Sequence, residues 1–312
     1  MDINYYEEIK YNNIFEFISE TQCGGKFEKL NNYIFRGEDS DKYSLLPSAL
    51  RQNSNSILRD IVTFKDNTNT LIGKLSIELA AVYNFYNTAK FHGLDVPDLP
   101  EFYEDKLDFF QGIIATKFRE WIPDKFYEIF GLAQHYGIPT RLLDWTYDFN
   151  IALYFAIINF CKNFVMHLKN KLSISGNFVI WLLDYSTIKL YYNNNPIRLI
   201  VPRYAHNANL CAQKGIFTLV TQELNKNTLI SDIDDTRPFN EIIIDYGRKN
   251  NINRPLLYKL IFPNACAISA LSYLLNNNYS KSKIFPGYAS ILDNILENNL
   301  WNLGDYLNNS DE

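Results

Sequence analysis

The sequence contains few cysteines and no long apolar run, and each shortage argues against a class of protein. Its four cysteines, Cys23, Cys161, Cys211 and Cys266, are far apart, with no CxxC pair and no Cys–His pair at metal-ligand spacing. They indicate reduced thiols rather than a disulfide framework or a zinc site. No stretch reaches the ~20 apolar residues that a membrane helix needs. Residues 1–8 lack the pattern of a signal peptide. We therefore expect a cytoplasmic protein with no metal and no membrane partner.

Basic residues are also fewer than acidic residues. The chain has 30 Lys and Arg residues against 35 Asp and Glu residues, which gives a formal net charge of −5. This balance argues against a general binder of phosphate backbones. Apolar residues are plentiful, because 47% of the 312 residues are hydrophobic and 22 Tyr and 22 Phe are among them. The chain can therefore bury a large core, which excludes disorder as its main state.

The hydrophobic patterns predict an α+β fold. Apolar and β-branched runs predict strands at 33–38, 142–143, 176–184, 197–202, 216–221 and 256–261. Helical periodicity predicts helices near 14–18, 71–91, 101–121, 124–136, 150–168, 265–275 and 289–300. A polar loop is expected at 225–240. These elements favour a small central mixed sheet of about five to six strands with flanking helices.

The same patterns suggest how the chain is divided. Residues 1–30 are predicted to form an N-terminal helical segment. Residues 31–290 are predicted to form the main domain, with a helical insertion at about 54–130. Residues 291–312 are predicted to form a C-terminal helix and tail.

Three separate blocks concentrate polar side chains of chemical interest. The first, 33–37, ends a strand with Arg36-Gly37, and the second, 131–156, leads through a Gly-Ile-Pro-Thr turn and a short strand to Asp144-Trp145-Thr146. The third block is 212–217, and a Phe-Pro pair follows at 285–286. Together these blocks resemble the FRG-domain family, a group of mainly prokaryotic proteins named for a Phe/Tyr-Arg-Gly motif.

A further resemblance is to ADP-ribosyltransferase-like folds. Many of those proteins place an Arg-Gly at the end of the first strand to meet NAD. They continue with a strand–turn–helix segment whose helix carries an Ala-x-x-Phe pattern. Arg36-Gly37 and residues 140–155 are similar to that layout. The resemblance implies an NAD-consuming transferase of the toxin or phage-defence type, with NAD as substrate, a nucleotide ligand in a cleft and a protein or nucleic acid as acceptor.

The resemblance also implies roles for individual residues. The chain has no Glu-x-Glu or Ser-Thr-Ser motif, so the catalytic carboxylate is left open between Glu223 and Asp144. His135 would orient the ribose or the acceptor. The candidate ligand-binding residues are Arg36, Gly37, Gln134, Thr140, Arg141, Trp145, Thr146 and Gln213.

Each candidate also has a structural alternative. Arg36 could pair with Asp144 rather than fork onto a phosphate. His135 could cap a helix rather than move a proton. Trp145 could fill the core, and Thr146 or Asp148 could cap the next helix. With these structural roles, the same cleft would suit a non-catalytic sensor that binds a nucleotide or a partner.

Overall fold

A seven-stranded mixed sheet forms the centre of the molecule. The computed structural model describes residues 3–51, 54–61, 70–99, 120–169, 175–191, 196–202, 207–224 and 235–308. The strands are β1 Tyr6–Lys10, β2 Tyr33–Glu38, β3 Glu120–Trp121, β4 Leu142–Thr146, β5 Asn177–Asp184, β6 Ile197–Ile200, β7 Gly215–Val220, β8 Gln222–Glu223 and β9 Leu257–Pro263. The main sheet has the order β1-β9-β5-β2-β4-β7-β6, and β3 and β8 pair separately. Strands β1 and β9 run parallel, and every other neighbouring pair is antiparallel.

Helices pack on both faces of this sheet. They are α1 Ile14–Glu20, α2 Ser54–Ile61, α3 Leu71–Phe91, α4 Tyr127–His135, α5 Phe149–Lys169, α6 Tyr185–Leu190, α7 Ala208–Ala212, α8 Phe239–Lys249, α9 Ala267–Asn276, α10 Lys281–Ile284 and α11 Ile291–Asn308. Within the described residues, no helix combines the length and the apolar character needed to cross a membrane.

Two apolar clusters share one face of the sheet, and a third fills the other. The first cluster joins α3 and α4 to Leu142 and Phe217 of β4 and β7. The second joins α1, α5 and α9 to β2, β5 and β9. The third packs α8 against the opposite face, where it meets Leu143 and Trp145. Side chains alternate along a strand, so Asp144 points to the same face as Leu142, between the first two clusters.

The α+β class with a mixed sheet is confirmed, and all six predicted strands are present. The sheet is larger than the expected five to six strands because β1 joins it at one edge. This strand escaped prediction because Glu7 and Glu8 interrupt the apolar alternation of Tyr6–Lys10.

Two predicted boundaries are wrong. The expected helix at 101–121 lies mostly outside the described residues, and its end, Glu120–Trp121, forms strand β3. Most of the expected loop at 225–240 lies outside the described residues, and its predicted end is wrong because α8 begins at Phe239. Phe239, Ile242, Ile243 and Tyr246 are buried on one side of α8 at helical spacing. The predicted division of the chain into segments stays a prediction.

Candidate functional site

A fork in the sheet opens a cleft beside strands β2 and β4. Strands β2 and β4 pair at one position, Phe35 with Thr146. Strand β2 otherwise follows β5 along all six of its residues, and β4 follows β7 along five. Past the Phe35–Thr146 pair, β2 and β4 therefore separate. A cleft of about 470 Å³ lies there, a size typical of small-ligand sites.

The cleft brings the three sequence blocks together. Its lining includes Arg36 and Gly37 from the first block, Gln134, His135, Asp144, Trp145 and Thr146 from the second, Gln213 and Gly215 from the third, and Phe285 from the closing Phe-Pro pair. The apolar part of the wall comes from Phe35, Phe155, Leu210 and Phe217, among others. Residues that are far apart in the sequence thus share one polar and aromatic cleft.

Gly37 allows β2 to lie directly on helix α5. A Cβ atom at this position would be 1.9 Å from the carbonyl oxygen of Ala152, far inside any allowed contact. Glycine is therefore required by the close approach of two backbones. This contact fixes the helix that forms one wall of the cleft relative to the strand that carries Arg36.

A chain of hydrogen bonds orients Asp144. The Nε2 of Gln134 donates to Oδ1 of Asp144 at 2.7 Å. The hydroxyl of Thr140, a fully buried residue, donates to Oε1 of Gln134, and it accepts from the Leu142 amide at 3.1 Å. The Asp144 side chain is nevertheless 60% exposed. Asp144 is thus a fixed carboxylate that remains open to a ligand.

The guanidinium of Arg36 lies between two carboxylates. Its Nε donates to Oε1 of Glu38 at 2.7 Å, and Nη2 lies 2.7 Å from the same oxygen. Its Nη1 donates to the backbone oxygen of Asp144 at 3.0 Å and lies 3.6 Å from Oδ2 of that residue. Burial acts to lower the pKa of Arg36, but the charges of Glu38 and Asp144 outweigh it and raise the pKa. Arg36 therefore stays charged and is held on both sides.

His135 contributes an uncharged imidazole at neutral pH. Burial lowers its pKa below the ordinary value of 6.5, and the nearby charge of Asp144 only partly opposes this. Its Nε2 lies 3.4 Å from Nδ2 of Asn209 in helix α7. If the Asn209 amide donates here, Nε2 is the acceptor and Nδ1 carries the proton.

The start of helix α5 is capped by the protein itself. The Oδ1 of Asp148 accepts from the Asn150 amide at 3.0 Å, and the backbone oxygen of Asp148 accepts from Ile151 and Ala152. Thr146 instead donates its hydroxyl to the carbonyl of Gln213 at 2.7 Å. Asp148 is therefore the N-cap, and these amides are already occupied by its oxygens. The Thr146–Gln213 bond ties the second block to the third.

Three candidate residues have positions that limit what they can do. Trp145 borders the cleft, but the residue is only 3% exposed, and its Nε1 donates to the Thr218 hydroxyl at 2.9 Å on the far face of the sheet. Arg141 is buried, and its Nε lies 2.9 Å from Glu78 on helix α3. Neither Arg141 nor Thr140 lines the cleft. Arg141 and Thr140 therefore affect the cleft indirectly, through the residues that they contact.

Glu223 also lies outside the cleft lining. It follows β7 by three positions, but the chain leaves the main sheet there and forms β8. Glu223 pairs in register with Glu120 of β3. Among the two carboxylates left open by the sequence, Asp144 is the one that lines the cleft.

The cleft also contains groups that sequence reasoning did not select. Glu38 and Asp39 follow the Arg-Gly directly, and Asp39 accepts from Nδ2 of Asn159 at 3.0 Å. Phe155 and Phe285 meet edge to face at its apolar end. Strand alternation could have indicated Glu38, because it places this residue on the same face as Arg36, two positions away.

No metal centre is evident in the part of the chain that the structure describes. That part holds no group of three or more His, Cys, Asp or Glu side chains with the geometry of a metal site. The polar groups of the cleft instead pair with one another or face its interior.

These features define an α+β protein with a polar, aromatic-walled cleft at a fork in its sheet. The family model described as FRG domain matches residues 31–163. The chain therefore contains an FRG domain, as its motif blocks indicated. The match covers the first two blocks, whereas 212–217 and 285–286 lie beyond it. No curated protein and no solved structure matches the chain significantly.

Proposed function

We propose that the cleft is an active site that consumes NAD by breaking its nicotinamide–ribose bond, in the manner of an ADP-ribosyltransferase. The observation that carries the proposal is Asp144, an oriented and exposed carboxylate in a cleft of ligand size. The likeness to ADP-ribosyltransferases in fold is part of the same proposal.

The chemistry needs a fixed negative charge beside the reacting sugar. When the bond between C1′ and the ring nitrogen breaks, its electron pair leaves with nicotinamide and C1′ becomes oxocarbenium-like. Asp144 stabilises that positive charge most effectively if it does not have to reorient. Gln134 and Arg36 hold it in place through the contacts described above.

An acceptor then completes the reaction. The oxygen of water, of a protein side chain or of a nucleic acid bonds to C1′ and must lose its proton. His135 is suited to take this proton at Nε2, in place of its long 3.4 Å contact with Asn209, because its lowered pKa leaves the ring uncharged at neutral pH. In this proposal the protein acts in the cytoplasm, and depletion of NAD would make it a toxin or phage-defence effector.

The decisive experiment is nicotinamide release. Purified protein is incubated with NAD, first in buffer and then with protein and nucleic-acid acceptors, and free nicotinamide is measured. Asp144→Asn keeps the shape but removes the charge, and we expect a loss of at least ~100-fold, typical of a lost electrostatic stabiliser. Glu223→Gln is the matched control and should stay within about twofold of wild type. Absence of nicotinamide release with every acceptor would overturn the proposal.

One observation favours a second function. The polar groups around Asp144 are paired within the protein, so the cleft would also suit a module that binds a nucleotide without turnover. This alternative predicts that NAD raises the melting temperature while no nicotinamide forms. The shift should disappear in Asp144→Asn. Turnover by the wild-type protein would exclude it.

A further inference from the structure

We propose that Glu38 is a specificity-determining residue whose carboxylate excludes phosphate groups from Arg36, so that the cleft takes the uncharged or cationic part of its ligand. This inference rests on the proposed function, because it names which part of a dinucleotide enters the cleft. It departs from the role that the resemblance to ADP-ribosyltransferases implies for Arg36, which is to anchor a pyrophosphate.

The first argument is that protein oxygens already contact the guanidinium of Arg36. Each of its three nitrogens contacts a protein oxygen, Nε and Nη2 at Glu38 and Nη1 at Asp144. A phosphate forks onto arginine through two parallel N–H bonds. Glu38 already occupies the Nε and Nη2 side where such a fork forms. The Arg36 and Glu38 side chains are 15% and 11% exposed, so a phosphate would have to displace a largely buried carboxylate.

The second argument is the charge of the lining. Among the described residues that line the cleft, the carboxylates are Glu38, Asp39 and Asp144, and the arginine is Arg36. His135 adds no positive charge near neutral pH, because burial lowers its pKa. The balance is therefore negative, and a phosphate entering the cleft would be repelled. A neutral sugar or a positively charged ring meets no such penalty.

The third argument is the start of helix α5, the other place where phosphate might bind. Helix N-termini attract phosphates through free amide groups. Here the oxygens of Asp148 occupy the amides of Asn150, Ile151 and Ala152, and its Oδ2 is itself paired with Lys214 at 2.8 Å. Two groups that usually bind phosphate, an arginine and a helix N-terminus, are thus present beside the cleft, and oxygens of the chain already occupy both.

The test is binding of inorganic pyrophosphate at constant ionic strength, measured by calorimetry on the full chain. Wild type should show no binding that depends on Arg36. Glu38→Gln frees the guanidinium and should bind pyrophosphate at least ~10-fold more tightly, the usual worth of a charge-assisted hydrogen bond. The double variant Arg36→Gln/Glu38→Gln should lose this gain. Asp245→Asn removes one charge from an exposed pair with Arg237 and should bind no better than wild type.

The outcomes separate this inference from the proposed function. Pyrophosphate binding by wild type that Arg36→Gln abolishes would overturn it, as would a folded Glu38→Gln that gains nothing. If Glu38→Gln fails to fold, Asp144→Asn replaces it, since that change also removes a carboxylate beside Arg36. A smaller gain is then expected, and no gain overturns the inference. None of these measurements needs NAD turnover, so absence of nicotinamide release bears on the proposed function alone.

Discussion

The buried ion pair behind the cleft offers the sharpest test of what holds the site together. Glu78 accepts from Nε of Arg141 at 2.9 Å and from Nε1 of Trp121 at 3.1 Å. The two charged side chains are 4% and 6% exposed. Glu78→Gln keeps the shape of the side chain but removes the negative charge that faces the buried guanidinium of Arg141. We expect this single change to be among the most destabilising in the chain.

The expected cost follows from burial. Removing one partner of a buried pair typically costs about 3–5 kcal/mol, because the remaining charge cannot be hydrated. Exposed pairs contribute about 0–1 kcal/mol. The matched control is Asp245→Asn, since Asp245 pairs with Arg237 at 2.6 Å but both side chains are about half exposed. Against a total stability of about 5–15 kcal/mol, the first change is severe and the second is minor.

Urea unfolding followed by tryptophan fluorescence measures both changes. Glu78→Gln should move the midpoint far below that of Asp245→Asn, with a similar slope if unfolding stays two-state. Replacing both partners with apolar residues, Glu78→Leu and Arg141→Met, should recover part of the loss. If Glu78→Gln cost less than ~1 kcal/mol, the buried pair would be no more important than a surface pair, and the reasoning from burial would be refuted.

Two further predictions concern a close backbone contact at Gly37 and a buried carboxylate at Glu297. Gly37→Ala should destabilise the protein by at least ~1–3 kcal/mol, because its Cβ would overlap the Ala152 oxygen; an unchanged melting temperature would contradict this contact. Burial raises the pKa of Glu297 above 4.5, more than its bond from Tyr154 lowers it. The folded state then holds this proton more firmly than the unfolded state. Stability should fall as pH rises from 4.5 through the raised pKa, and Glu297→Gln should remove that part of the pH profile.

The elements that build the cleft were predictable from the sequence because their signals are local. Strand β5 is a nearly continuous apolar run, and α5 is apolar on most faces, as expected for buried elements. The motif blocks also singled out Arg36, His135 and Asp144, which the fold brings together in the cleft. Local patterns and family resemblance together therefore located most of the lining.

Contacts between residues that are far apart in the sequence could not be predicted. Arg141 and Glu78 are 63 positions apart, and nothing local indicates that they meet. Glu223 follows a correctly predicted strand, but periodicity does not reveal that the chain leaves the sheet after Val220. Strand alternation places Glu38 on the same face as Arg36, but the direct contact between the two side chains at 2.7 Å is a property of the folded site.

The pairing of β1 with β9 has a consequence for how the chain folds. Tyr6 lies beside Leu257, so strand β1 waits for a partner that is synthesised much later in the chain. Contacts of such long sequence separation slow folding. Strand β5 likewise needs β9 on one side. Until β9 is made, the edges of β1 and β5 that face it have no partner strand. Unpaired strand edges make a nascent chain prone to aggregation. Chaperone dependence during synthesis is therefore an expected property of this fold.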